Sequence, residues 1–123
     1  MGVGMPQHLL LEEFGVLILD AFGHYPYHVG SSVLGKQWRD VDVRLILPDE
    51  EYAALRLGSP GLPLRNAKWA SLCRAYCALG KEMTGLPIDF QIQQESSANA
   101  EYSGPRSLLG IRSYSQRKMR TKI

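Results

Sequence analysis

One run of residues, Asp40-Val41-Asp42-Val43-Arg44-Leu45-Ile46-Leu47, constrains the fold of this chain more than any other. β-Branched and aliphatic side chains alternate with charged ones, a period of two that suits a half-buried strand. Val41, Val43 and Leu45 then face a core, while Asp40, Asp42 and Arg44 share the opposite face. Carboxylates that close repel and raise each other's pKa unless a positive charge lies between them. A divalent metal ion is the usual answer to that need; Arg44 lies on the same face, where it could serve as a structural ion-pair partner. Upstream, the short apolar run Tyr27-His28-Val29 ends in the pair Gly30-Ser31.

Helices and strands alternate around this segment. Leu10, Leu11, Phe14, Leu17, Ile18 and Ala21 have helical spacing and predict a helix over 7–21, ended by Gly23. A short strand over 26–29 runs into the Gly30 turn. Ser31 or Ser32 caps a brief helical turn, after which Gly35 lets the chain reverse. Pro48 closes the central strand, and Asp49 is the expected N-cap of a short helix over 50–57 with an acidic first turn. Gly58-Ser59-Pro60-Gly61-Leu62-Pro63 reads as a loop. The longest helix is expected over 66–84, with Trp69, Leu72, Cys73, Tyr76, Cys77, Leu79 and Met83 on its apolar side and Gly85 as its stop. A strand over 86–93 follows, with Ile88, Phe90 and Ile92 on one face and Asp89, Gln91 and Gln93 on the other. This order predicts an α/β (α+β) fold, a small mixed sheet of three or more strands flanked by helices.

A chain of 123 residues suits one domain. Its charge is uneven. Residues 96–123 carry six bases, Arg106, Arg112, Arg117, Lys118, Arg120 and Lys122, against Glu101 alone. Residues 1–95 therefore read as the core domain, and 96–123 as a basic tail containing Ser and Gly. A basic end on an acidic body suits contact with a polyanion, with a solvated tail as the plain alternative. No apolar run approaches the ~18–20 residues of a membrane span, and the start of the chain lacks the pattern of a signal peptide. A cytoplasmic protein is expected. Cys73 and Cys77, four apart on a helix, are poorly placed for a disulfide and read as small core residues.

Gly30-Ser31, the inner Gly35 and the Asp40-Val41-Asp42 strand together resemble the polymerase-β-like nucleotidyltransferase superfamily. Its core signature is a Gly-Ser or Gly-Gly turn followed by an Asp-hydrophobic-Asp strand. Small members often read Gly-Ser-x-x-x-Gly before the aspartates, here Gly30-Ser31-Ser32-Val33-Leu34-Gly35. The resemblance is strongest over 27–47 and extends loosely to about residue 93. The gap from Ser31 to Asp40 is shorter than the common family spacing.

The resemblance implies a third carboxylate on the following strand, a position that Asp89 occupies. Asp40, Asp42 and Asp89 would be the catalytic and metal-binding residues, together holding two Mg²⁺ ions. Gly30 would let the backbone approach phosphates, Ser31 would donate its hydroxyl to them, and Lys36 and Arg39 are candidate phosphate contacts. The implied activity is that of a minimal, magnesium-dependent nucleotidyltransferase. It would transfer a nucleoside monophosphate from an NTP such as ATP to an RNA or protein acceptor. Stand-alone members of this size resemble the nucleotidyltransferase components of toxin–antitoxin modules, which implies an antitoxin-like or oligomeric partner. The basic tail points to RNA, tRNA 3′ ends in particular, as acceptor. The alternatives are a catalytically inactive protein of the same fold that binds nucleotide or nucleic acid, and a small basic-tailed nucleic-acid-binding domain. His24 and His28 are expected in surface or packing roles. Tyr25, Tyr27 and Trp38 are expected to pack, with base stacking as the other reading.

Overall fold

The period-two pattern forms strand β2 (Val41–Leu47) as expected, and its apolar face is the surface on which the helices pack. The computed structural model describes residues 5–30, 40–58, 66–101, 104 and 106–111. β1 (Tyr27–Val29) lies antiparallel along one side of β2, and β3 (Ile88–Gln94) lies parallel along the other. A fourth strand, β4 (Arg106–Leu108), pairs antiparallel with β1, giving the order β3-β2-β1-β4. This is a mixed α+β fold with a small mixed sheet flanked by helices.

Two 18-residue helices supply the other half of the core, α1 (Met5–Phe22) and α3 (Ala67–Thr84). Leu11, Phe14 and Ile18 from α1 and Trp69 and Cys73 from α3 meet Val41, Val43, Leu45, Ile88, Phe90 and Ile92 from the sheet. Phe14 and Phe90 pack edge to face with ring centroids 6.1 Å apart. Each such side chain contributes roughly 1.5–3 kcal/mol through burial, so this one layer accounts for most of the cohesion. Asn66 caps α3 by accepting the Trp69 N–H at 3.0 Å, and Gly85 ends it in the left-handed conformation. The Trp69 indole N–H donates to the Ile92 carbonyl at 2.9 Å, pinning α3 to β3. Both cysteines are free. Cys73 is buried, and the Cys77 sulfur accepts the Phe90 N–H at 3.1 Å.

One expectation changes. Asp49 does not cap the short helix but is its first residue. Helix α2 (Asp49–Ala54) has Pro48 at its N-cap with no side-chain cap bond, and Asp49 Oδ1 instead accepts the N–H of Ser96 at 3.1 Å. Ser96 lies in the first turn of α4 (Glu95–Glu101). The reason is the parallel register: Leu47 and Gln94 end side by side, so an acid following β2 reaches the orphan N–H groups following β3. Structure also continues past residue 95: α4 begins at Glu95, and β4 lies wholly beyond it. The Arg106 guanidinium donates to the Ala98 carbonyl at 3.3 Å and the Asn99 side chain at 3.0 Å, tying α4 to the far strand. Residues 112–123, with the remaining bases of the expected tail, lie outside the described residues, as do Ser31, Ser32, Gly35 and most of the 58–63 loop. Among the described residues, no helix is long and apolar enough to cross a membrane.

The chain leaving β4 crosses α1 at Gly15. A Cβ there would stand 2.6 Å from the carbonyl carbon and oxygen of Leu109. One turn earlier, the buried Glu12 carboxylate accepts the N–H of Gly110. Because backbone lies opposite Gly15, a side chain cannot be absorbed by a rotamer change. Gly15→Ala is expected to destabilise the fold by about 1–3 kcal/mol, as overpacking does, measured by urea denaturation. An unchanged midpoint would show that the crossing can open freely.

His28, on β1 opposite Val43, is 2% exposed. Burial, with His8 adding to it, pushes its imidazole down to about 4 from an ordinary 6.5. It is neutral in the fold yet takes up a proton when unfolded below pH 6.5, so its contribution is complete above 6.5 and is lost as pH falls towards 4. The loss amounts to roughly 3 kcal/mol. Urea melts across this window should show that slope in the wild type and a flatter one in His28→Gln; equal slopes would assign the acid sensitivity elsewhere.

Candidate functional site

The parallel register of β2 and β3 places Asp42 directly beside Asp89. Neighbouring residues in register point to the same side of a sheet, so both carboxylates stand on the face opposite the α1–α3 core. Asp89 belongs to the strand whose alternate residues Ile88, Phe90 and Ile92 are buried, which fixes the direction of its side chain. Asp40 is exposed and lies in the bend immediately before β2. Its charge reaches Asp42, but it does not join the pair in a closed ligand set.

A cation already sits at this pair. The Arg44 guanidinium lies 3.3 Å from Asp89 Oδ2 and 3.8 Å from Asp42 Oδ1. It also donates to the Asp89 carbonyl at 2.6 Å and to the Val43 carbonyl at 3.2 Å, so backbone as well as side chain holds it. Arg44 is therefore the ion-pair partner that its place on the strand allowed.

Burial raises the Asp42 carboxyl above its ordinary 3.8. Arg44 opposes the rise, while Asp89 and Asp40 add to it, and Asp89 also shares a hydrogen bond with the protonated form. Gly30 follows β1 with a φ of +83°. A side chain at this position would press on Asp42 Oδ2, so the glycine serves both the turn and the room around that carboxylate.

Beside the pair, a cleft of about 270 Å³ is lined by Gly30, Asp42, Arg44, Gln93 and Arg106, with the apolar Val29 and Ile46. Of the residues expected at the site, the structure brings together Gly30, Asp42 and Asp89 and leaves Asp40 exposed in the bend before β2. Ser31, Lys36 and Arg39 lie outside the described residues. Arg106 was assigned to the tail, yet it lines the cleft and stands 6.0 Å from the centre of the Tyr27 ring. Its three-residue strand, between Pro105 and the Leu109-Gly110 turn, is too short to show a periodic pattern. His24 pairs with Glu51 at 2.9 Å, away from the aspartates in sequence and partner.

The donor chemistry of the pair fits a hard divalent cation. Magnesium takes carboxylate donors and completes its shell with water and phosphate oxygens, but here the Arg44 guanidinium already lies within ion-pair distance of both carboxylates. Among the described residues, no group of three His, Cys, Asp or Glu side chains is placed to hold a metal ion.

The raised Asp42 has a consequence for stability. Between 3.8 and its folded value, the native state holds more protons than the unfolded one, so stability is lost as pH rises through that window. Asp42→Asn removes this dependence. In EDTA, its Tm relative to wild type is expected to climb between about pH 3 and about pH 7; a constant difference would show that Asp42 ionises at no cost to the fold. No protein-family model matches the chain, and comparisons with curated proteins and with solved structures likewise give no significant match.

Proposed function

We propose that this chain is a minimal, magnesium-dependent nucleotidyltransferase of the polymerase-β-like type. The observation that carries the reading is the register of Asp42 on Asp89 on the polar face of the sheet, with Asp40 two residues earlier in the bend before β2 and Gly30 against Asp42. This is the arrangement that a Gly-Ser turn, an Asp-x-Asp strand and a later strand aspartate would need.

Asp42 and Asp89, with Asp40, would hold the cation. When bound, magnesium supplies a lowered pKa for the attacking hydroxyl and neutralises charge on the triphosphate. The remaining work falls to the chain. Gly30 leaves the backbone open for phosphates to approach, as the chain enters Ser31. Arg44 and Arg106 give the cleft positive walls that draw the triphosphate in. The acceptor oxygen attacks the α-phosphorus in line, the bond to pyrophosphate breaks, and the hydroxyl proton passes to Asp89. RNA, reached through the basic residues beyond 111, is the proposed acceptor, with a protein acceptor as the variant of the same chemistry. The proposed setting is cytoplasmic.

A second reading rests on Arg44. A guanidinium fixed between the two carboxylates is also what a protein that binds nucleotide without reacting would keep. Incubation with each α-labelled NTP, Mg²⁺ and total RNA or protein separates the two. Transfer of label by wild type, with a loss of about 10³-fold or more in Asp40→Ala/Asp42→Ala, is expected for the enzyme. Equal labelling by both proteins, or by neither while nucleotide still binds, would leave the binding protein.

A further inference from the structure

Residues 106–111 reach both faces of the sheet. On one, the Arg106 side chain lines the cleft and donates to the Ala98 carbonyl and the Asn99 side chain of α4. On the other, Leu109 is buried over Gly15 of α1, and the Gly110 N–H donates to the Glu12 carboxylate. Positions three apart in an extended segment point to opposite sides, which is how one short stretch serves both. Between these anchors it is held by three residue pairs with β1 and by the Leu109 N–H on the Pro26 carbonyl at 2.9 Å. Among the described residues, β4 has a strand on one side only. Short edge elements of this kind open locally while the rest of a fold stays closed.

Docking of the segment carries a cost as well as a gain. Glu12 is 3% exposed, His8 Nε2 lies 3.8 Å from its carboxylate, and His8 Nδ1 is buried without a hydrogen-bond partner. A buried carboxylate loses hydration that hydrogen bonds must offset, and the segment itself supplies one, from Gly110. When the segment lifts, that bond goes and water returns to Glu12. Gain and cost thus meet at one contact, which decides between a docked and a lifted segment.

We propose that residues 106–111 form a strap that opens and closes as a unit, with Glu12 as the positioning residue whose bond to Gly110 holds Arg106 in the cleft on the opposite face of the sheet. Strap closure and completion of the cleft are then one equilibrium. The coupling runs both ways, because whatever holds one end of a two-state element also holds the other. Loosening Arg106 at α4 must loosen Gly110 at α1. The inference depends on neither a bound cation nor catalysis.

Amide hydrogen exchange of the full chain, followed by NMR across low urea concentrations, reads the opening. In wild type, Leu109 and Gly110 are expected to exchange through an opening with weak urea dependence, whereas Val41 and Phe90 should follow the steep dependence of global unfolding. Asn99→Ala, at an exposed site, should speed exchange of Leu109 and Gly110 at least about threefold with the weak dependence kept. The bond it removes counts at Gly110 only if Arg106 leaves α4 in the same opening. Phenylglyoxal modification of Arg106, located by mass spectrometry, reads the other end. Glu12→Gln weakens the bond to Gly110 and should speed this modification at least about threefold, with the exposed Arg74 unchanged. Steep urea dependence at Leu109 and Gly110 in wild type, unchanged exchange there in Asn99→Ala, or an unchanged Arg106 rate in a folded Glu12→Gln would each overturn the strap. If Glu12→Gln does not fold, wild type and Asn99→Ala still decide.

Discussion

The parallel pairing of β2 with β3 makes two carboxylates neighbours, and the polar half of the molecule is arranged around that fact. Two like charges about 4 Å apart cost on the order of 4 kcal/mol at an effective dielectric of ~20. Sliding the strands by one residue would relieve the repulsion, but would also turn Ile88, Phe90 and Ile92 out of the core. The apolar face therefore holds the register, and the polar face must accommodate the charge. Arg44 does so from within β2, two residues after Asp42 and so on the same face. Its bond to the Asp89 carbonyl ties it to the neighbouring strand, so the neutralising charge is part of the sheet.

The strong periodic segments were legible in the sequence. β2, β3, α1 and α3 follow from spacing alone, and Gly85 marks the end of α3 through local chemistry that tertiary context does not override, whereas the capping role of Asn66, placed by spacing inside the helix, came from the structure. Asp49 was misread for a physical reason. An acid after a strand and before a helix has the credentials of an N-cap, but which helix it serves depends on where β3 ends, and that is a long-range fact. β4 was invisible for another: three residues carry too little alternation to outweigh the polar, basic composition around them. At the site, the face shared by Asp42 and Arg44 was readable from the period of two, and the closeness of Asp89 was not, because strand order and register lie beyond local patterns. Gly30 shows the same division. Its turn was evident, whereas its closeness to the Asp42 carboxylate required the structure.

The buried polar groups separate into those that hold the fold and those that face the cleft. Glu12, His28 and Thr84 are all within the core layer. Thr84 donates to the Gly80 carbonyl at 2.7 Å and accepts the Leu86 N–H at 3.0 Å, closing the end of α3. The Cys77 sulfur, accepting from β3, completes the same side. These groups satisfy backbone atoms where helix and sheet do not mesh, and burial raises the Cys73 thiol to about 11, far from a reactive thiolate.

Glu12 and Gly110 meet across 98 residues of chain. During synthesis, α1 emerges early with an acid on the side that becomes buried, and the N–H that receives it belongs to one of the last described segments to leave the ribosome. The same late segment carries Arg106 into the cleft. A nascent chain can thus assemble β2, α3 and β3 into a sheet well before its cleft acquires its fourth wall. The cleft is complete only once the segment carrying Arg106 has docked, a step of high sequence separation.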